Sequence, residues 1–419
     1  MKMDLKPELL KYREVFTNEL HDNILSYWMN YGVEKNGQGF YGAVDLKNEA
    51  VPGAHKTSVL NARILWTFAA AASDHPGKGY DAIAHRAYRV ICEDFADPEQ
   101  GGFFMELSSA NEVANDSKLT YAQAFVLYSL SKYYEFNPVA EVMDQIREFF
   151  HFLDQKSKDP DHAGYLESFT RTWDLYEENR MADNNEPKSM NAHLHILEAY
   201  AAVYRIWKDD VVRQRLADLL QLFLDHIIRE DGHLGIFFSE DFQETEASKA
   251  ICSFGHDIEA SWLIWEAAEI LGDVSILAKI KPRILKMADA VLREGVDKDG
   301  GLFLESTRFG SHLRTNKHWW LQAENLVGFM NAFQLTADPV YWETVKLCWD
   351  FIDKHVIDHK DGEWFTKVNR LGQPYLTEPE DDPSPYYRND WKIDPWKCPY
   401  HNGRAMMELK HRISRLLDG

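Results

Sequence analysis

Two histidines stand in unusually suggestive company. His256 lies in the run Ser-Phe-Gly-His-Asp-Ile-Glu at 253–259, and His401 in Pro-Tyr-His-Asn-Gly-Arg at 399–404. Each sits at the start of a helix-like stretch. Two imidazoles brought to one pocket by different helices suit a two-base proton transfer. One removes a proton from one face of a carbon, and the other returns a proton to the opposite face. Imidazole serves both roles near neutral pH because its ordinary pKa is about 6.5. Glu259 follows His256 by three residues and shares its helix face, so it can orient the ring. The same spacing also fits a structural His–Glu pair at a helix start. Around His401, the residues Trp396, Tyr400 and Arg404 crowd one short stretch, as in a sugar pocket.

Other residues fall at similar helix starts. Asn191 and His195 are four apart and share a face, with Glu198 three further on. His193 lies roughly 200° around the helix from His195, so the two do not chelate one metal, and His193 reads as a packing residue. Arg63 in an apolar helix must be paired or face a cavity. Tyr121 with Gln123, and Trp320 with Gln322 and Glu324, occupy equivalent starts, where Trp320 either stacks on a pyranose ring or packs in the core. Asp183, in a polar loop, is a candidate partner for His195. No HExxH is present, and the one HxxxH, His355 to His359, ends an outer helix. The GxGxxG match at 37–42 follows a helical stretch instead of a strand. No metal and no cofactor is expected.

The elements that position these residues repeat six times. A glycine followed by aromatic or branched residues recurs at Gly39, Gly102, Gly164, Gly235, Gly301 and Gly362. The spacings of 63, 62, 71, 66 and 61 residues are too even for chance. Each glycine turn is expected to lead directly into a short strand. Between the turns lie two kinds of helical pattern. One is amphipathic, at 9–29, 80–95, 139–153, 211–228, 276–292 and 341–356. The other is apolar almost all round, beginning near Asn61, Tyr121, Asn191, His256, Trp319 and His401, with Asn61 a candidate cap. Six buried helices inside six amphipathic ones predict an all-α (α/α)6 barrel over 1–419, as a single catalytic domain. An open solenoid is the alternative. Inner-helix N-termini would ring one mouth, with short β-hairpins at its rim and six positive dipole ends facing in.

The charge balance of 46 basic against 67 acidic residues, net −21, excludes nucleic acid and anionic membranes as partners. It suits a neutral small molecule. Cys92, Cys252, Cys348 and Cys398 are scattered with no CxxC, and no apolar run is long enough for a signal peptide or a membrane span. A cytoplasmic protein, monomeric or a weak homo-oligomer, is expected.

The segments LNARILWTFAAA, TYAQAF, SMNAHLHILEAYA, SFGHDIEASWL, KHWWLQAE and WKCPYHNGR together resemble the N-acylglucosamine 2-epimerase superfamily, and within it the cellobiose 2-epimerase branch. The resemblance spans nearly the whole chain in order and implies the same barrel. It further implies reversible C2 epimerisation of the reducing-end glucose in β-1,4-linked disaccharides, cellobiose to glucosylmannose and lactose to epilactose. It makes His256 and His401 the acid/base pair. It places Arg63, Tyr121, Asp183, Asn191, His195, Glu259, Trp320 and Trp396 in the pocket. Protonation at C1 instead of C2 would give slow aldose–ketose isomerisation. The alternatives are a monosaccharide aldose–ketose isomerase or mannose 2-epimerase of the same superfamily, an (α/α)6 glycosidase using carboxylates such as Asp257, Glu259 or Glu324, and a non-catalytic sugar-binding protein. The Pro- and Asp-rich segment 378–396 departs from the family pattern and reads as a loop over the non-reducing sugar.

Overall fold

The computed structural model describes residues 5–35, 37–176, 185–307, 312–377 and 388–418. Twelve long helices alternate along these residues. The inner set is α2 (Ser58–Asp74), α4 (Thr120–Phe136), α6 (Met190–Ile206), α8 (Phe254–Leu271), α10 (Trp319–Thr336) and α12 (Tyr400–Asp418). The outer set is α1 (Lys6–Asn18), α3 (Tyr80–Arg89), α5 (Ala140–Ser157), α7 (Asp210–Leu222), α9 (Val274–Glu294) and α11 (Pro339–Phe351). Outer helices bury one stripe, as α9 does with Ile280, Ile284, Met287 and Val291. Inner helices are buried almost throughout; α2 buries every residue from Ser58 to Ala69.

Each inner helix packs on the next, from α2 through α4, α6, α8 and α10 to α12, and α12 returns to α2. Each also carries one outer helix: α3 on α2, α5 on α4, α7 on α6, α9 on α8, α11 on α10 and α1 on α12. The ring is closed, an (α/α)6 barrel and not an open solenoid. None of the described helices is long and apolar enough to cross a membrane.

Short strands close the ring a second time. Lys56–Thr57, Lys118–Leu119, Lys188–Ser189, Ile251–Ser253 and Lys317–His318 run directly into the first five inner helices. They pair antiparallel with Glu106–Leu107, Ser168–Phe169, Phe237–Phe238, Glu305–Thr307 and Lys367–Val368 respectively. The sixth, Trp391–Ile393, pairs with Val44–Asp45 of the first repeat. The expectation of a strand directly after each glycine needs correction. A residue within two of that glycine makes a single bridge back to the end of the outer helix, as Phe103 does with Ala96 and Trp364 with Ile357. The paired strand begins about three residues later, because the chain must first turn from the outer helix onto the rim.

Buried ion pairs fasten these turns. Lys118 reaches Asp97 at 3.0 Å, Lys188 reaches Asp159 at 2.6 Å, Lys317 reaches Asp297 at 3.3 Å and Lys392 reaches Asp358 at 2.7 Å. Lys56 pairs with Glu34 in the first repeat. The fourth repeat exchanges the signs: Arg229 stands where the others carry an acid, and it pairs with Glu244. The fourth residue of several inner helices also receives the backbone of its own turn. Gln123 accepts from Phe103 N at 2.9 Å, His193 from Tyr165 N at 2.9 Å, Asp257 from Leu234 N at 2.9 Å and Gln322 from Leu302 N at 2.8 Å. His193 is thus the packing residue its position suggested. Asn61 is not the cap of α2: Thr57 accepts from Leu60 N, and Asn61 donates to Thr57 O at 2.9 Å.

Candidate active site

Arg63, Tyr121, His195, His256, Glu259, Trp320 and His401 all come from the first two turns of the six inner helices, and contacts between them run around the ring. Polar side chains collect there because the interior of a closed helical ring leaves only its N-terminal mouth open to ligand and water.

His256 and His401, on α8 and α12, both pack against the indole of Trp320 on α10, with ring centroids 5.0 and 5.7 Å away. The indole fits because Gly255 lacks a side chain; a Cβ there would lie 2.8 Å from Trp320. His401 Nδ1 is 2.7 Å from Glu324 Oε1, and His195 Nδ1 is 3.0 Å from Glu198 Oε2. An ionised carboxylate only accepts, so in both rings Nδ1 carries the proton and Nε2 keeps a free lone pair. Burial draws His256 down to about 4 and His401 down to about 3, and it also lowers His195. All three imidazoles are therefore neutral near pH 7.

Arg404 on α12 is the electrostatic centre. It bonds Glu324 at 2.7 Å, Glu259 at 3.3 Å, and also Glu198 and the Tyr400 hydroxyl. Burial alone would raise Glu324, but Arg404 and the His401 hydrogen bond hold it at about 2. Burial and the neighbouring Glu324 push Glu259 well above the usual carboxylate range. The two acids therefore divide into one carboxylate and one neutral carboxyl. Glu259 does not orient His256, as its spacing suggested. It turns to Arg404 and lies 4.0 Å from His401, while His256 Nδ1 meets Ser253 Oγ at 2.8 Å.

Arg63 donates to the Tyr121 hydroxyl at 2.7 Å and to the Trp396 carbonyl at 3.3 Å, with its guanidinium 4.2 Å from the Phe125 ring centroid. Tyr121 meets His195 edge to face at 5.0 Å. Trp396 is half-buried on a turn in which Asp394 accepts from the backbone of Trp396 and Lys397. Asn191 lies half-buried in the first turn of α6. Asp183 lies outside the described residues, as does part of the 378–396 segment, at 378–387. His355 and His359 bond separate backbone carbonyls, those of Gly372 and Asp353.

Glu198 and Glu324 were not singled out for the pocket, Arg404 was noted only for its place beside His401, as was Tyr400, and Trp262, which donates to Glu324 at 2.9 Å, carried no signal. The signal for the first three was a charge inside an otherwise apolar inner helix, the argument that did single out Arg63. Glu259, Glu324 and His401 offer donor atoms within 4.8 Å of one another, a spacing that resembles a metal site. Arg404 already contacts both acids, and His401 Nδ1 is engaged by Glu324.

The profile of the N-acylglucosamine 2-epimerase (GlcNAc 2-epimerase) family matches residues 39–387. A cellobiose 2-epimerase of Bacteroides fragilis is 38% identical over 405 residues, covering 96% of this chain and 99% of the relative. The structure of cellobiose 2-epimerase from Bacillus thermoamylovorans B4167 superposes with a TM-score of 0.87 at 31% identity, over 96% of this chain and 99% of that one. The enzyme of the same name from Spirochaeta thermophila DSM 6192 gives a TM-score of 0.86 at 34% identity, over 99% of this chain and 100% of its own.

Proposed function

The chain belongs to the N-acylglucosamine 2-epimerase family, as an isomerase acting on carbohydrate, and from that premise we propose that it reversibly epimerises C2 of the reducing-end glucose of β-1,4-linked disaccharides. Cellobiose would give glucosylmannose, and lactose would give epilactose. The observation that carries this reading is the pair of neutral imidazoles, His256 and His401, from different helices and packed on the one indole of Trp320.

The C2 hydrogen of a closed pyranose is not acidic, so the ring opens first to expose a C1 aldehyde. His195, held by Glu198 through Nδ1, passes protons between the C1 hydroxyl and the ring oxygen from Nε2; Asp183 is its proposed partner. One of His256 and His401 then takes the C2 proton through Nε2. The electron pair left on C2 delocalises to the C1 oxygen as a cis-enediolate. The Arg63 guanidinium, fixed by Tyr121 and the Trp396 carbonyl, stabilises that charge. The other histidine, which enters the cycle with a proton on Nε2, gives it to the opposite face of C2; the ring closes, and proton exchange with water resets the pair. Delivery to C1 instead gives the ketose, a slow side reaction. Trp320 stacks on the reducing sugar, and Tyr121, Asn191, Glu259 and Trp396 complete the pocket. Arg404, Glu324 and Glu198 position the two Nδ1-anchored histidines.

The test is proton NMR of cellobiose and lactose in D2O with chelator-treated protein. A new C2 epimer carrying deuterium at C2, with no free glucose, is the expected result. Release of monosaccharide would move the chain to a hydrolase. His256→Ala and His401→Ala are each expected to abolish turnover in a folded protein.

A further inference from the structure

The start of α8 is built differently from those of α2 and α6, and the difference lies beside His256; α4 and α10, preceded by Leu119 and His318, have no side-chain cap either. At the residue preceding α2 and α6, Thr57 and Ser189 accept a backbone N–H from the first turn, Leu60 N and Ala192 N, both at 3.2 Å. Ser253 holds the same place before α8 but makes no such cap; its hydroxyl is spent on His256 Nδ1 at 2.8 Å. A helix start without its cap is weaker and frays more readily.

A second anchor occupies the same turn. Asp257, wholly buried, accepts Leu234 N through one oxygen at 2.9 Å and meets His233 Nδ1 through the other at 2.7 Å. His233 Nε2 reaches Glu294 at the end of α9 at 3.2 Å. In three other repeats the residue at the place of Asp257 is neutral: Gln123, His193 and Gln322. Among these four, α8 alone uses an acid, and its turn supplies a histidine to meet it. The charged and titratable groups facing the pair are Glu294 and Cys252 beside His233, and Arg229 towards Asp257. Against burial, the hydrogen bond and charge of Asp257 raise His233 to about 11, while burial also raises Asp257.

We propose that His233 and Asp257 are positioning residues for His256: their ion pair fixes the first turn of α8 in place of the cap that Ser253 gives up, so the serine hydroxyl is free to set which imidazole nitrogen faces the sugar. This rests on His256 acting as an acid/base group.

The experiment compares His233→Leu, His233→Asn and Ser253→Ala with the parent by steady-state epimerisation of cellobiose across pH, alongside circular dichroism. His233→Leu is expected to lower kcat by about ten-fold or more with KM unchanged. It should also move the acid limb of kcat/KM, because a loosened first turn of α8 disturbs the Ser253–His256 contact that holds the imidazole. His233→Asn still donates an N–H to Asp257 and is expected to recover most of kcat. Should His233→Leu not fold, Ser253→Ala decides, with the same loss of kcat and a moved acid limb expected. A folded His233→Leu with parental kcat and pH profile overturns the proposal, as does an unaffected Ser253→Ala, or a His233→Asn no better than His233→Leu. If His256→Ala itself keeps parental turnover, the two-base reading fails. An inactive His256→Ala beside an unimpaired His233→Leu sinks the positioning role alone.

Discussion

Replacing Gly255 by alanine sets two physical effects against each other. Gly255 lies in the first turn of α8 with no positive φ, so helix propensity alone favours alanine by up to about 1 kcal/mol. Packing opposes it. The new Cβ would lie 2.6 Å from Leu321 Cγ and 2.8 Å from the Trp320 ring. Reaching an ordinary 3.4 Å contact requires those side chains, or the first turn of α8, to move by about 0.6–0.8 Å. Overpacking of this kind costs about 1–3 kcal/mol, so the variant is expected to be no more stable than the parent, and less stable by up to about 3 kcal/mol. The effect on turnover is larger. The displaced indole is the one both His256 and His401 pack against, and a misplacement approaching 1 Å costs about 100-fold in rate. Epimerisation of cellobiose followed by chromatography, with urea unfolding in parallel, measures both. A Gly255→Ala protein that is more stable than the parent and retains its kcat/KM would refute the argument that this glycine exists to seat Trp320.

Further outcomes follow from the buried charges. His256, His401 and His193 are neutral in the fold, drawn down by burial to about 4, about 3 and about 4, but titrate near 6.5 when unfolded. The unfolded chain therefore binds more protons in between, so stability is full above about pH 6.5 and falls as pH drops towards 4. A Tm series across pH should show this slope, and His401→Gln should flatten it. Arg404→Met strands the Glu198 and Glu324 carboxylates and should destabilise by about 3–5 kcal/mol in chemical denaturation. Lys188→Met leaves Asp159 buried without its cation and is expected to cost a similar amount, about 3–5 kcal/mol. The double variant Lys188→Met/Asp159→Asn should regain most of it, and equal instability of the single and double variants would show that the charge is not the cause.

The barrel was readable from the sequence because its two helix classes differ in a property that one chain displays: apolar on one face, or apolar all round. All six inner helices begin within four residues of their expected starts. The ring of contacts was less readable. Arg404 sits two residues from Asn402 and five from Pro399 and reads locally as part of a cluster, yet its partners come from α6, α8 and α10. Glu259 was assigned to His256 on spacing, but three-residue neighbours share a face without having to bond, and the guanidinium attracts the acid more strongly than a neutral imidazole does. The lysine pairs at the rim were invisible for the same reason. Lys188 and Asp159 are ordinary surface residues by type and become buried only when the turn folds back onto the barrel. His233 gave no hint either, since its partner Asp257 looked like one more acid at a helix start.

Joining Val44–Asp45 to Trp391–Ile393 has a consequence for how the molecule comes into being. Contacts between residues so remote along the chain bear the greatest loop-closure entropy and form late in folding. The helix that returns with that seam, α12, brings His401 and Arg404. Until it docks, the Glu198 and Glu324 carboxylates lack their counter-ion, and a nascent barrel of five inner helices holds uncompensated charge where the finished one holds a pocket. Assembly of the chemistry and closure of the ring are therefore one event, and a sugar that touches α12 and its neighbours together adds its binding free energy to keeping that last door shut.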